Sequence, residues 1–285
     1  MDTRIHTPDG AELFVRVLGT GAPVIVPLAS WCEEFEALAG RNQVILYDPR
    51  GRGRSSPIDC ACVSFEQDIA DLESVREHLD LEMFVLIGWS YFGGVAARYA
   101  MLHPEYVARL VLVGGTPVRA GSFFRIVQEE QNARFQAVAP ELMRELASGV
   151  PQTPERLRAF ADAFLQTRSA VKPPWPARKS RPSELENEQP ERAFPLIAAA
   201  MRSMGDWDWR EDARAIDAPT LVIDGSADIL PHEACREWLA ALPNARAVVM
   251  EGVGHFPAYE DPERFFALLG EFLMGDWPAA CTTSV

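Results

Sequence analysis

The run Phe84-Val85-Leu86-Ile87-Gly88-Trp89-Ser90-Tyr91-Phe92-Gly93-Gly94 constrains the fold of this chain more than any other segment. Its first four residues form a short apolar strand of the kind buried on both faces. Gly88-Trp89-Ser90 makes a sharp turn, and residues 95–102 lie in the helix that follows. A strand that enters a helix so abruptly belongs to a parallel sheet, because the chain must cross back over the sheet to reach its next strand. The turn lifts the Ser90 hydroxyl out of the sheet beside the helix N-terminus. There the helix dipole and the Tyr91 N–H would face a developing negative charge. A serine in an ordinary Gly-rich loop looks much the same, so the motif gains meaning only from its partners.

The rest of the chain repeats the strand–helix alternation. Residues 4–7 and 13–17 read as a hairpin around Pro8-Asp9-Gly10. Residues 23–28, 43–47, 109–113, 220–224 and 245–250 read as buried strands. Residues 65–79, 232–242 and 262–273 have helical spacing, the first capped by Ser64 with Gln67 three places on. Alternation of this kind predicts an α/β fold with helices on both faces of the sheet. Between about 117 and 206 the pattern turns helical. Residues 122–148 and 153–170 are predicted helices, the second with Thr153 as cap and Pro154 at its first position. An irregular, charged stretch opens at Lys172-Pro173-Pro174-Trp175-Pro176 and runs to Arg192, and helical spacing resumes at 194–204. We expect a core domain from 1–116 and 207–285 with a helical cap, 117–206, inserted over the C-terminal edge of the sheet. The tail after Met274 lacks periodicity and is expected to be loose.

Charge narrows the function classes. With 41 acidic against 27 basic residues the net charge is −14, which argues against nucleic acid as a partner. Five scattered cysteines, among them Cys60-x-Cys62, do not complete a zinc-type spacing and read as thiols in a reducing compartment. The N-terminus lacks the apolar core of a signal segment, and no apolar run approaches membrane-spanning length. The expectation is a cytoplasmic enzyme acting on a small molecule, without a membrane or nucleic-acid partner, metal or organic cofactor. The sequence leaves the oligomeric state open.

The Gly88–Gly94 segment resembles the nucleophile elbow, G-x-S-x-G, of the α/β-hydrolase superfamily. It departs from the pattern at Phe92, which stands where the second glycine is usual. A bulky residue there requires either a wider strand–helix crossing or a side chain that turns away from the strand. The resemblance implies an α/β-hydrolase fold, a mostly parallel eight-stranded sheet with helices on both faces and an inserted helical cap. Gly225-Ser226-Ala227-Asp228 resembles the family's acid loop, and Gly252-Val253-Gly254-His255-Phe256-Pro257 supplies the histidine. Each follows a predicted strand, in the family's chain order Ser, Asp, His. Ser90 is then the nucleophile, His255 the general base and acid, and Asp228 the group that orients it. Asp224 is a weaker candidate for the acid because it lies within the strand. His6, His78, His103 and His232 read as surface or structural residues. Tyr47-Asp48-Pro49-Arg50-Gly51-Arg52-Gly53-Arg54-Ser55 is similar to the family's D-x-R-G-x-G-x-S turn and reads as a brace for the floor of the site. Where the family often has His-Gly after its third strand, this chain has Pro27-Leu28-Ala29. The oxyanion donors are expected to be the N–H groups of Tyr91 and Ala29, with Leu28 as an alternative register.

Trp31, Trp89, Trp175, Phe194 and Met201 are candidate pocket residues, and Trp207 and Trp209 can line it or belong to the core. The acidic run Glu184, Glu186, Glu188 and Glu191 reads as a solvated face. Its rival role is to receive a substrate ammonium, as cap carboxylates do in the prolyl iminopeptidases the chain loosely resembles. A serine nucleophile leaves three chemistries open. Hydrolysis of a small to medium, largely apolar carboxylic ester or lactone leads, followed by aminopeptidase action and carbon–carbon bond hydrolysis. A ligand-binding protein that merely retains the three residues is the non-enzymatic alternative.

Overall fold

A computed structural model describes residues 1–121, 123–148, 153–170, 185–230 and 232–283. The strands are β1 (Asp2–His6), β2 (Glu12–Leu18), β3 (Ala22–Pro27), β4 (Asn42–Asp48), β5 (Phe84–Trp89), β6 (Val107–Val113), β7 (Thr220–Gly225) and β8 (Ala245–Met250). They form one eight-stranded sheet in the order β1-β2-β4-β3-β5-β6-β7-β8. β1, β2 and β4 pair antiparallel, and every pairing from β4 to β8 is parallel. The chain therefore has the α/β-hydrolase architecture that its elbow implied.

Burial on both faces explains why the central strands read as continuous apolar runs. Successive residues of β5 point to opposite sides, Phe84 and Leu86 into one core and Val85 and Ile87 into the other. The first core is covered by α1 (Phe65–His78), α2 (Tyr91–Leu102) and α7 (His232–Ala241). The second is covered by α9 (Pro262–Leu273) and by the 3₁₀ segment Glu33–Gly40, which contributes Phe35 and Leu38. The Ser64 hydroxyl accepts the Gln67 N–H at 3.2 Å, the cap expected for α1.

Between β6 and β7 the described residues form α3 (Phe123–Val138), α4 (Pro140–Ala147), α5 (Pro154–Arg168) and α6 (Pro190–Ser203). Three details differ from the sequence expectation. The single helix expected over 122–148 divides at Ala139, because Pro140 starts a new helix more readily than it continues an old one. The last helix begins four residues early, at Pro190, for the same reason. The tail is not loose throughout, since Thr282 exchanges backbone hydrogen bonds with Ala247 of β8 at 2.8 and 2.9 Å. Among the described residues no helix is long and apolar enough to cross a membrane.

Candidate active site

Ser90 links β5 to α2 with φ 55° and ψ −126°, a backbone conformation that costs a residue with a side chain about 1–3 kcal/mol. The surroundings hold it there. Its N–H donates to Val113 O at 2.9 Å, and its carbonyl accepts from Gly93 and Thr116 N–H at 2.9 and 3.1 Å. The strand–helix crossing is too tight for side chains. A Cβ on Gly88 would lie 2.3 Å from Phe92 O, and one on Gly93 would lie 2.8 Å from Gly115 Cα. Gly93 thus supplies the close approach that the family pattern assigns one residue earlier. Phe92 is accommodated by turning aside. Its ring lines the cavity and lies 5.6 Å from the Arg52 guanidinium carbon.

His255 stands between the other two predicted residues. Its Nε2 is 2.9 Å from Ser90 Oγ, and its Nδ1 is 2.7 Å from Asp228 Oδ2. Burial pushes the Asp228 carboxyl up. The charge and hydrogen bond of His255, with lesser help from Arg168 and the Ile229 N–H, outweigh that and hold it below the ordinary value. Asp224 stays in β7, where burial and then the Asp228 charge raise it to about 7 while the Cys235 thiol donates to it. Gly114, at φ 48°, leaves room for the pair, since a Cβ there would lie 3.2 Å from His255 Nδ1. Trp89 Nε1 donates to His255 O at 2.8 Å. Of the other histidines, His6 lies in β1, His78 ends α1, His232 starts α7, and His103 stacks between Tyr99 and Tyr106.

The loop after β3 solves the missing-glycine problem by strain. Leu28 adopts φ 68° and ψ 57°, which glycine reaches freely and leucine only at a cost of about 1–2 kcal/mol. Ala29 then opens a 3₁₀ turn, Ala29–Trp31, just as Tyr91 opens α2. The first N–H of each helical turn has no acceptor within its own helix. Asp48 braces this loop, accepting the Ser30 N–H at 2.7 Å and the Arg54 N–H at 2.9 Å, and its carboxyl occupies the space that a Cβ on Gly53 would need. Arg50, almost fully buried, chelates Asp71 and Asp9.

Glu188 was expected on a solvated face and lies instead against this brace. Its carboxylate accepts Trp31 Nε1–H at 2.9 Å and the Gly53 N–H at 2.8 Å, while neighbouring Asn187 Nδ2 donates to Ser55 O at 2.6 Å. Burial raises its carboxyl above the usual range, against those two hydrogen bonds. No periodicity marks Glu188 off from Glu186, which is exposed, so only the fold reveals the difference.

A cavity of about 390 Å³ opens over Ser90 and His255. Trp31, Trp89, Phe194, Met201 and Trp207 line it, together with apolar residues of α3 and α5 such as Val127 and Leu165. Trp209 belongs to the core, stacked on Phe65 at 5.5 Å, and Trp175 lies outside the described residues. Two basic residues stand in the wall, Arg52 from the turn read as a brace and Arg168, which the sequence did not single out. Arg52 is neutralised by a bidentate pair with Asp68, which also accepts the Tyr91 hydroxyl. Arg168 Nε donates to the Gln131 amide at 2.7 Å, and burial pulls its guanidinium down to about 10 against the attraction of Asp228.

A family model described as alpha/beta hydrolase fold matches residues 25–262. Among curated relatives, a 2-hydroxy-6-oxononadienedioate/2-hydroxy-6-oxononatrienedioate hydrolase of Cupriavidus pinatubonensis is 27% identical over 95% of this chain and 90% of that protein. A pimeloyl-[acyl-carrier protein] methyl ester esterase of Nitrosomonas europaea is 28% identical over 90% and 97%. Among solved structures, a proline iminopeptidase of Mycobacterium smegmatis superposes with a TM-score of 0.76 at 22% identity, covering 96% of this chain and 98% of that one.

Proposed function

The chain belongs to the alpha/beta hydrolase fold family, and from that premise we propose that it is a serine hydrolase cleaving a carboxylic ester or lactone. The observation that carries the reading is the continuous relay from Ser90 Oγ through His255 to Asp228, at 2.9 and 2.7 Å, on a strained turn under an apolar cavity. Ser90 Oγ attacks the carbonyl carbon as His255 Nε2 takes its proton. The Asp228 carboxylate keeps the imidazole in the tautomer with hydrogen on Nδ1 and stabilises the imidazolium. The oxyanion is received by the N–H groups of Tyr91 and Ala29. His255 returns the proton to the leaving alcohol, then activates water against the acyl-enzyme, and Ser90 is regenerated. Residues 117–206 act as the cap over a core of 1–116 and 207–285. The apolar walls suit a small to medium acyl group.

The engagement of Glu188 weighs against the aminopeptidase reading, because both carboxylate oxygens already accept protein N–H groups. One observation favours a second reading, hydrolysis of a carbon–carbon bond in an anionic diketone. Arg168 brings to the cavity wall a cation that, among the described residues, pairs with an amide and not a carboxylate. A fluorophosphonate probe should label the wild type and fail on Ser90→Ala. Turnover of p-nitrophenyl butyrate should vanish in that variant and fall about 10⁴-fold in Asp228→Asn. Labelling that survives in Ser90→Ala would sink the proposal. A wild type that cleaves the ester and leaves a 2-hydroxy-6-oxodienoate intact removes the second reading.

A further inference from the structure

The loop that carries His255 is held by a carboxylate for which the relay itself has no use. Glu260 closes the short helix α8 (Pro257–Glu260), five residues after His255. Its Oε2 accepts the Gly254 N–H at 2.9 Å and its Oε1 accepts the Phe256 N–H at 3.0 Å, so it grips the residue on either side of the histidine. Oε2 also accepts the Ala170 N–H at 2.9 Å, from the chain just beyond the end of α5. The intervening His255 N–H donates to Arg168 O at 2.8 Å. The end of α5 is therefore fastened to this loop from two directions. Gly254 lets it come that close, because a Cβ there would lie 2.6 Å from Arg168 O and 2.8 Å from Ala170 N. Charge-assisted bonds to backbone N–H groups are about twice as strong as neutral ones, and three converge on one carboxylate.

We propose that Glu260 is a positioning residue for the reaction, locking the His255 loop and the end of α5 into one unit so that the placement of the helical segment sets the reach of the imidazole toward Ser90. The idea rests on the relay reading above. It extends that reading by placing part of the control over the base in the inserted helices and not in the sheet. Hydrogen-bond geometry between Ser90 and His255 tolerates little drift, since a displacement of about 1 Å from remote changes can cost about 10²-fold in rate.

Two substitutions in the full chain separate positioning from mere scaffolding. Glu260→Gln keeps size and one acceptor oxygen but turns an N–H₂ toward a backbone donor. Ala170→Pro removes the α5-side donor and sets its ring Cδ where the hydrogen pointed at Glu260 Oε2, so it breaks this fastening outright. Ser169 already sits at φ −99° and ψ 142°, the extended conformation that a following proline requires. With p-nitrophenyl butyrate, Glu260→Gln should lower kcat by about 10- to 100-fold, leave KM within about twofold, and slow fluorophosphonate labelling of Ser90 by the same factor. Ala170→Pro should reproduce part of that loss with the same split. A Glu260→Gln enzyme with wild-type kcat overturns the proposal. So does a loss that vanishes when the assay temperature is lowered in step with the fall in Tm, because that pattern belongs to a structural brace. Full activity in Ala170→Pro overturns the link to α5. A wild type that fails to label, or a Ser90→Ala that still turns over, would instead sink the relay reading on which this rests.

Discussion

Asp224 gives the sharpest test of the electrostatics around β7. Its carboxyl is buried, with only 9% of the residue exposed, and burial together with the Asp228 charge moves it from its ordinary 3.8 to about 7. That displacement corresponds to about 4 kcal/mol. The sign follows from proton binding. Between pH 4 and 7 the unfolded chain has released a proton that the folded state keeps, so stability falls as pH rises through this window and is level above it. Replacing Asp224 by Asn abolishes the titration while keeping shape and one acceptor for the Cys235 thiol. The new amide N–H₂ left without a partner costs about 1–3 kcal/mol, but that cost does not depend on pH and drops out of a comparison across pH. For 285 residues the entropy of unfolding is about 0.6 kcal/mol per degree. About 3 kcal/mol of the effect falls between pH 4.5 and 8, so the Tm of Asp224→Asn relative to wild type should rise by about 5 °C across that range. Scanning calorimetry of both proteins at five or six pH values reads this directly. A difference that is flat with pH, or one that moves the other way, would refute the assignment of a carboxyl raised by burial and the Asp228 charge.

Further substitutions test the packing at the site and away from it. Gly93→Ala should destabilise by about 1–3 kcal/mol and cut p-nitrophenyl butyrate turnover, because the added methyl meets Gly115 Cα at 2.8 Å and tilts α2 under Ser90. Gly270→Ala in α9 meets nothing within 4 Å and should instead gain up to about 1 kcal/mol in thermal denaturation. Asp71→Asn should cost about 3 kcal/mol in urea denaturation, since it strips a buried partner from Arg50, whereas the double change Asp71→Leu with Arg50→Met should recover much of that loss.

How much the sequence revealed varies along the chain for physical reasons. The strand–helix alternation was readable because strands buried on both faces must be apolar throughout, and 245–250 and 262–273 match the observed β8 and α9 residue for residue. The chain order of Ser90, Asp228 and His255 was readable because each follows a parallel strand, and such strands end on one edge of the sheet. The helical insertion was harder. A proline inside an amphipathic pattern can end a helix, start one or sit within one, and Pro140, Pro190 and Pro195 do all of these. Glu188 was unreadable because local composition cannot tell a carboxylate on a solvated face from one folded inward onto Trp31 and Gly53. Phe92 was half readable. The clash was evident from the motif, but its resolution toward Arg52 depends on residues forty positions away.

The pairing of Thr282 with Ala247 has a consequence beyond the monomer. β8 is the last strand of the sheet, and its outer side turns a row of backbone donors and acceptors toward whatever chain drifts past. Thr282 takes both groups of Ala247, in mid-strand, and Trp277 holds the approach against Phe272 and the Arg246 guanidinium. A foreign strand would have to displace this segment before it could zip along β8. Because β8 also leads into the loop that bears His255, the same few residues stand between an incoming strand and that loop.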